Sequence, residues 1–167
     1  KIFKHIQTEV DLASKKLAEE RGSCPDAEEY GIKERFSNKT AIAPTASISI
    51  ICGGASPGVE PVAANSYTHK TLSGSYNVRN RYLKKVLEKY GKNNEETWST
   101  ITTNQGSVEH LDFLTRNEKD VFKTAFELDQ KWIVELGADR TPYISQAQSI
   151  NIFLPADVHK KELHQIH

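Results

Sequence analysis

A single proline separates an apolar tripeptide from a hydroxyl-rich stretch, and the junction reads Ala41-Ile42-Ala43-Pro44-Thr45-Ala46-Ser47-Ile48-Ser49-Ile50. Pro44 favours an extended residue before it and lacks an N–H, so a strand can pass directly into a helix capped by Thr45. The N–H groups of Ala46 to Ser49 would then lack partners within the helix. Together with the helix dipole and the hydroxyls of Thr45 and Ser47, they predict a phosphate site.

The same residues are also typical of an ordinary helix cap, because Ser and Thr are common at helix starts that bind no ligand.

Glu60, before Pro61, also has two interpretations: it could act in acid–base catalysis, but a carboxylate in a turn more often bonds nearby backbone groups. Cys24 and Cys52 lie far apart and lack a metal-ligand or redox spacing, so we interpret both as structural or incidental. The sequence therefore predicts no catalytic residue and no metal site.

The elements around the junction are predicted to be mostly helical, with a few short strands. Apolar residues at helical spacing predict a helix from Ile2 to Leu17, followed by an irregular segment over residues 22–38. Residues 40–61 indicate a strand, turn, helix and loop, in which residues 48–52 are expected to be buried. Further expectations are a hairpin turning at Ser73-Gly74, helices near 82–90 and 98–101, a long helix with a core-facing apolar side from Asn117 to Gly137, a buried strand at 149–154 and a helix at 157–166.

The composition excludes several classes of partner. The 167 residues include 22 basic and 22 acidic ones, a balance that gives no field to attract nucleic acid or an anionic membrane surface. No apolar run approaches the roughly 20 residues needed to cross a bilayer, so we expect a soluble, cytoplasmic protein. The lack of methionine and the helix-like patterns at both ends predict a single fragment over residues 1–167, either a natural split product or a trimmed piece.

Four segments, in order and at suitable spacing, resemble stretches of the large, catalytic subunit of class I ribonucleotide reductase. The resemblance is good from about Thr40 to about Phe153 and looser outside that range. The matching segments are Ala41 to Pro61, which ends in Gly58-Val59-Glu60-Pro61, then Tyr67 to Tyr76, Asn104 to Val108, and Tyr143 to Ile152.

The resemblance implies both a fold and a site. The fold would be helix-rich α/β, a partial segment from the carboxy-terminal part of the ten-stranded α/β barrel of that family, with the phosphate loop at the barrel mouth. The substrate-phosphate positions fall on Thr45, Ala46, Ser47 and Ile48. Because many relatives have threonine where this chain has Ile48, only a main-chain donor is expected there.

The resemblance also implies a function for the parent protein, which would be a ribonucleoside-diphosphate reductase. Such an enzyme converts ribonucleotides to deoxyribonucleotides for DNA synthesis by a radical mechanism. The family's radical cysteine, redox-active cysteine pair and relay tyrosines have no counterpart in this chain, so the isolated chain is expected to be inactive. No cofactor is expected in it, while the parent would rely on a metal-containing, radical-generating small subunit and on allosteric nucleoside triphosphates.

Alternatives of a different class stay open. The chain could be a non-catalytic module that binds a nucleotide or phosphate, or a structural module, or it could come from a cobalamin-dependent reductase.

The partners implied by the resemblance are a ribonucleoside diphosphate, the small subunit and the remainder of the large subunit. Since a partial barrel cannot close, the fragment could pack as a mainly helical domain, self-associate through strand edges, or differ locally from its parent.

Overall fold

The computed structural model describes residues 1–53, 56–72 and 74–167. The chain forms two compact units: unit 1 comprises Lys1–Pro44 and Trp132–Ile150, and unit 2 comprises Thr45–Lys131 and Asn151–His167. Among these described residues, no helix is long and apolar enough to cross a membrane. The elements are α1 (Ile2–Arg21), α2 (Pro25–Glu29), α3 (Ala46–Ile51), β1 (Ser66–Thr71), β2 (Gly74–Arg79), α4 (Arg81–Lys89), α5 (Glu95–Thr103), α6 (Arg116–Val121), α7 (Lys131–Arg140) and α8 (Lys160–Ile166).

Unit 1 is organised by α1, which confirms the predicted first helix. The buried hydroxyl of Ser14 on α1 accepts hydrogen bonds from the N–H groups of Arg35, at 3.1 Å, and Phe36, at 3.3 Å. These bonds attach the segment after α2 to the helix. Residues 22–38, predicted to be irregular, therefore contain one short helix, α2. Just beyond them, the ion pair of Lys39 with Asp11 of α1, at 2.5 Å, adds a further side-chain contact to α1.

Two extended segments of unit 1 lie side by side in parallel. Ile42 forms an isolated bridge with Gln148. The N–H of Ile42 donates to the carbonyl of Ala147 at 3.2 Å, and its carbonyl accepts from the N–H of Ser149 at 2.8 Å. The Ser145 hydroxyl accepts from the N–H of Thr40 at 2.8 Å. The strand predicted before Pro44 is thus present as a single bridge.

Unit 2 contains the predicted hairpin and its helical core. β1 pairs with β2 in an antiparallel register that runs from Ser66 opposite Arg79 to Thr71 opposite Gly74; Ser73, half of the predicted turn, lies outside the described residues. The predicted helices α4 and α5 are confirmed. Their buried side chains form a hydrophobic cluster with residues of the loop that follows α5 and with Phe122 at the end of α6: Leu83, Leu87, Trp98, Ile101, Val108, Leu111, Leu114 and Phe122.

A buried asparagine joins three parts of unit 2. The Asn65 side-chain amide donates to the carbonyl of Gly106 at 3.0 Å and to that of Phe122 at 2.6 Å, while its oxygen accepts from the Asn80 amide at 2.9 Å. A Cβ on Gly106 would collide with the backbone of Ala64. The close approach that these bonds require is therefore available only to glycine at position 106.

The long helix predicted from Asn117 to Gly137 is wrong, because α6 ends at Val121 and a capping box at Thr124 begins a separate turn. Thr115, rather than Asn117, caps α6 in a reciprocal pair with Glu118. Thr124 and Glu127 form a second capping box around a 3-10 turn over residues 125–127. The second Thr-x-x-Glu sequence satisfies backbone donors at a new start within the predicted range, and this start separates α6 from α7.

Other expectations also fail for local reasons. Much of the predicted core-facing apolar side is exposed, including Phe126 at 49% and Trp132 at 62%, because the break in the helix changes which residues share a face. The helix continues past Gly137, whose missing Cβ makes room for the Ile150 side chain. Residues 149–154 form no strand.

We expect Asn65→Asp to destabilise the chain strongly. The substitution keeps the size of the side chain but turns an acceptor toward two carbonyl oxygens, so a loss of at least about 2 kcal/mol in the free energy of unfolding is expected. Denaturant unfolding of the 167-residue chain measures it, with Asn117→Asp, an exposed residue of α6, as the matched control. An equal effect of the two substitutions would contradict the role of Asn65.

The Glu127 capping box makes stability depend on pH. Partial desolvation raises the pKa of the Glu127 carboxyl, but hydrogen bonds from Ser107 and from the backbone and hydroxyl of Thr124 outweigh it and hold the pKa below its ordinary value. Their stabilisation is present above the unfolded pKa of about 4.3 and is lost as the pH falls through the lower folded value.

Glu127→Gln should therefore be less stable than the unsubstituted chain at pH 7, by about 1 kcal/mol, because a neutral acceptor replaces a charged one. Denaturant unfolding should show this gap narrowing as the pH is lowered toward 3. The exposed Glu20→Gln serves as control. A gap independent of pH would refute the assignment.

Candidate anion-binding site

The candidate site is the start of α3, at the beginning of unit 2. Thr45 occupies the N-cap position with φ −124° and ψ 34°, but its side chain makes no capping hydrogen bond. Its own N–H donates to the carbonyl of Pro57 at 2.9 Å. The predicted cap is therefore correct in position, and the backbone N–H of Thr45 is already used.

Three successive N–H groups at this turn are free of partners within the described residues: those of Ala46, Ser47 and Ile48. The N–H of Ser49, also expected to be free, instead donates to the carbonyl of Thr45 at 2.8 Å. Side chains 46–48 are exposed and that of Thr45 is half-buried. Convergent unpaired donors of this kind can hold one oxyanion group.

The side chains of the turn separate into two roles. The hydroxyls of Thr45 and Ser47 make no hydrogen bond in the part of the chain described here, so both are free to donate. The Ser49 hydroxyl is buried and donates to the carbonyl of Ala46 at 2.7 Å, so it completes the turn instead of facing outward.

The isoleucines of α3 were expected to be buried, and this expectation is wrong. Ile48 is 58% exposed, Ile50 60% and Ile51 84%. The inward face of this six-residue helix is occupied by Ser49. Immediate neighbours of an inward-facing residue point to other sides of a helix, so the isoleucines flanking Ser49 are left uncovered.

The loop after α3 is attached to unit 2 by Glu60. This side chain is 5% exposed, and its Oε1 accepts from the backbone N–H of Asn151 at 2.7 Å and from the Asn151 amide at 3.1 Å. The hydroxyl of Ser56 donates to the carbonyl of Glu60. Glu60 therefore bonds a backbone N–H, as predicted, but the prediction that this group is nearby in the sequence is wrong, because it belongs to Asn151.

Sequence reasoning missed Asn151 as the partner of Glu60, since no local pattern links positions 91 residues apart. Cys24 is half-buried and Cys52 is exposed, and neither forms a disulfide. Over residues 1–53, 56–72 and 74–167, no group of three or more His, Cys, Asp or Glu side chains could hold a metal ion.

Comparison with known proteins places the chain in a family. Residues 24–167 match the family model described as ribonucleotide reductase, barrel domain. The chain is 48% identical to the ribonucleoside-diphosphate reductase large subunit of Invertebrate iridescent virus 6 over 99% of its own length and 18% of the relative. It is 44% identical to that of Invertebrate iridescent virus 3, over all of this chain and 27% of the relative.

The structural comparison agrees. The fold matches the class Id ribonucleotide reductase alpha subunit of Actinobacillus ureae with a TM-score of 0.86 and 38% identity, over 98% of this chain and 29% of that one. The chain thus spans less than a third of the length of these relatives. Its helix-rich α/β fold is a partial segment of their barrel, and the chain belongs to the ribonucleotide reductase family as a fragment of the large subunit.

Proposed function

We propose that the protein to which this chain belongs is a ribonucleoside-diphosphate reductase, and that this segment binds the phosphate of its substrate. The binding residues in this proposal are Thr45, Ala46, Ser47 and Ile48. Family membership supports the first part. The observation that carries the second is the set of three adjacent N–H groups, in the exposed residues 46–48, that the described fold leaves without acceptors.

The binding free energy of a phosphate at this turn would come mainly from hydrogen bonds. Each bond to a charged acceptor contributes on the order of 1.5 to 3 kcal/mol, and three amides with two hydroxyls offer up to five donors. The dipole of α3 adds about 0.3 to 1 kcal/mol and is limited by the helix being six residues long. Ile48 contributes its N–H alone.

In this proposal the chemistry is completed elsewhere. The radical cysteine, the redox cysteine pair and the relay tyrosines lie in other parts of the large subunit, and a metal-containing small subunit generates the radical. Allosteric nucleoside triphosphates act on the large subunit outside this segment. What this chain contributes is the position of the substrate's charged end.

The activity is tested with the full-length large subunit and its radical-generating partner. We expect deoxyribonucleoside diphosphate to form from a ribonucleoside diphosphate, and the 167-residue chain alone to give none. The proposal would be contradicted if no ribonucleotide tested gave a deoxyribonucleotide product. A requirement for adenosylcobalamin in place of the small subunit would instead identify a cobalamin-dependent reductase.

Ser47→Asp tests the phosphate grip without damaging the fold. The new carboxylate stands beside the three N–H groups and repels a phosphate, so KM for the ribonucleoside diphosphate should rise at least about tenfold. An acidic residue near a helix N-terminus is favourable for the helix, so thermal unfolding should occur at an unchanged or slightly higher temperature.

Ser47→Asn is the matched control, because it has the size of aspartate without its charge. Its KM should stay well below that of Ser47→Asp. KM values for both variants equal to that of the unsubstituted enzyme would show that no phosphate binds at this turn.

A further inference from the structure

We propose that Glu60 is a positioning residue for the phosphate turn: it fixes the loop that holds the backbone of Thr45, although it does not itself contact substrate. The inference rests on the phosphate-binding role proposed for residues 45–48. It depends on four consecutive contacts within unit 2, which run from the segment at Asn151 to the first residue of the turn.

The first contact anchors the carboxylate. One oxygen of Glu60 accepts both the backbone N–H and the side-chain amide of Asn151, at 2.7 and 3.1 Å. Two donors on one acceptor fix the orientation of the carboxylate, and its burial excludes competing water. A buried carboxylate held in this way cannot shift without leaving the Asn151 N–H unpaired.

The anchoring segment is itself hydrogen-bonded to a buried side chain. Two residues beyond Asn151, the N–H of Phe153 donates to the buried side chain of Gln130 at 2.8 Å. The Gln130 amide donates in turn to the carbonyls of Ala125 and Leu128, at 2.7 and 2.8 Å. The segment that holds Glu60 is therefore fixed to the part of unit 2 next to the second capping box.

The remaining contacts connect Glu60, through the loop at residues 56–60, to Thr45 at the start of the phosphate turn. The Ser56 hydroxyl donates to the Glu60 carbonyl, and the Glu60 carboxylate fills the space where a side chain at Gly58 would begin. Between these two residues lies Pro57, whose carbonyl accepts the N–H of Thr45 at 2.9 Å. The loop is thus closed around Glu60, and Pro57 holds Thr45, which directly precedes the three free N–H groups.

The role predicts a specific kinetic signature. Glu60→Asp shortens the side chain by one methylene and withdraws the carboxylate from Asn151, so the loop that carries Pro57, and with it Thr45, loses its attachment to the segment at residue 151. Misplaced phosphate donors weaken substrate binding, so KM for the ribonucleoside diphosphate should rise about tenfold or more. The turnover number should change much less, because the groups that carry the radical chemistry are untouched.

Two variants serve as controls in the full-length large subunit with its radical-generating partner. Glu60→Gln keeps the length and an acceptor oxygen and should restore most of the affinity lost in Glu60→Asp. Glu96→Asp removes the same methylene from an exposed carboxylate of α5 and should leave KM unchanged. Asn151→Leu removes the weaker donor and keeps the backbone N–H, so its KM should fall between those of the unsubstituted enzyme and Glu60→Asp.

The outcomes separate this inference from the proposal on which it rests. A merely structural role would reduce the amount of folded enzyme, and hence turnover, while KM stayed constant; that result in Glu60→Asp would overturn the inference. If Ser47→Asp raises KM and Glu60→Asp does not, the phosphate site stands and the positioning role fails. If Ser47→Asp also leaves KM unchanged, the phosphate site itself is wrong.

Discussion

In the irregular segments of unit 2, buried polar side chains bond the backbone N–H and C=O groups that a neighbouring strand would pair in a sheet. These segments depend on such bonds for their conformation. A buried backbone N–H or C=O needs a partner, but residues 56–65 and 151–155 lie outside regular strands. Asn65, Glu60 and Gln130 supply the missing donors and acceptors. Each is at least nine-tenths buried, so each bond forms where water cannot substitute for it.

This arrangement explains how a very short helix can present an ordered set of donors. Six residues give α3 little stability of their own, so its first turn needs support from outside the helix. The bond from Thr45 to the Pro57 carbonyl gives that support, and the loop bearing Pro57 is closed by Ser56 and Glu60. The order of the turn therefore comes from tertiary contacts more than from helix propensity.

The sequence predicts the elements whose signals are local. α1, α4, α5 and the hairpin follow from apolar spacing and glycine positions, and the helix start at Thr45 follows from Pro44. The helix start at Thr115 and the break at Thr124 also have local signals, in the sequences Thr115 to Glu118 and Thr124 to Glu127, but the continuous apolar pattern obscured them. The pairing of Glu60 with Asn151 could not be read in this way, because it joins residues with no common periodicity.

The parallel contact of unit 1 has a consequence for chain entropy. Thr40 and Ser145 are 105 residues apart in the sequence, and joining the ends of a flexible loop of that length costs roughly 4 kcal/mol, apart from a constant term. Most of the intervening chain is unit 2, which is compact. A folded connection has far fewer conformations to lose than a flexible one, so the formation of unit 2 makes closure of unit 1 more favourable even without any contact between them.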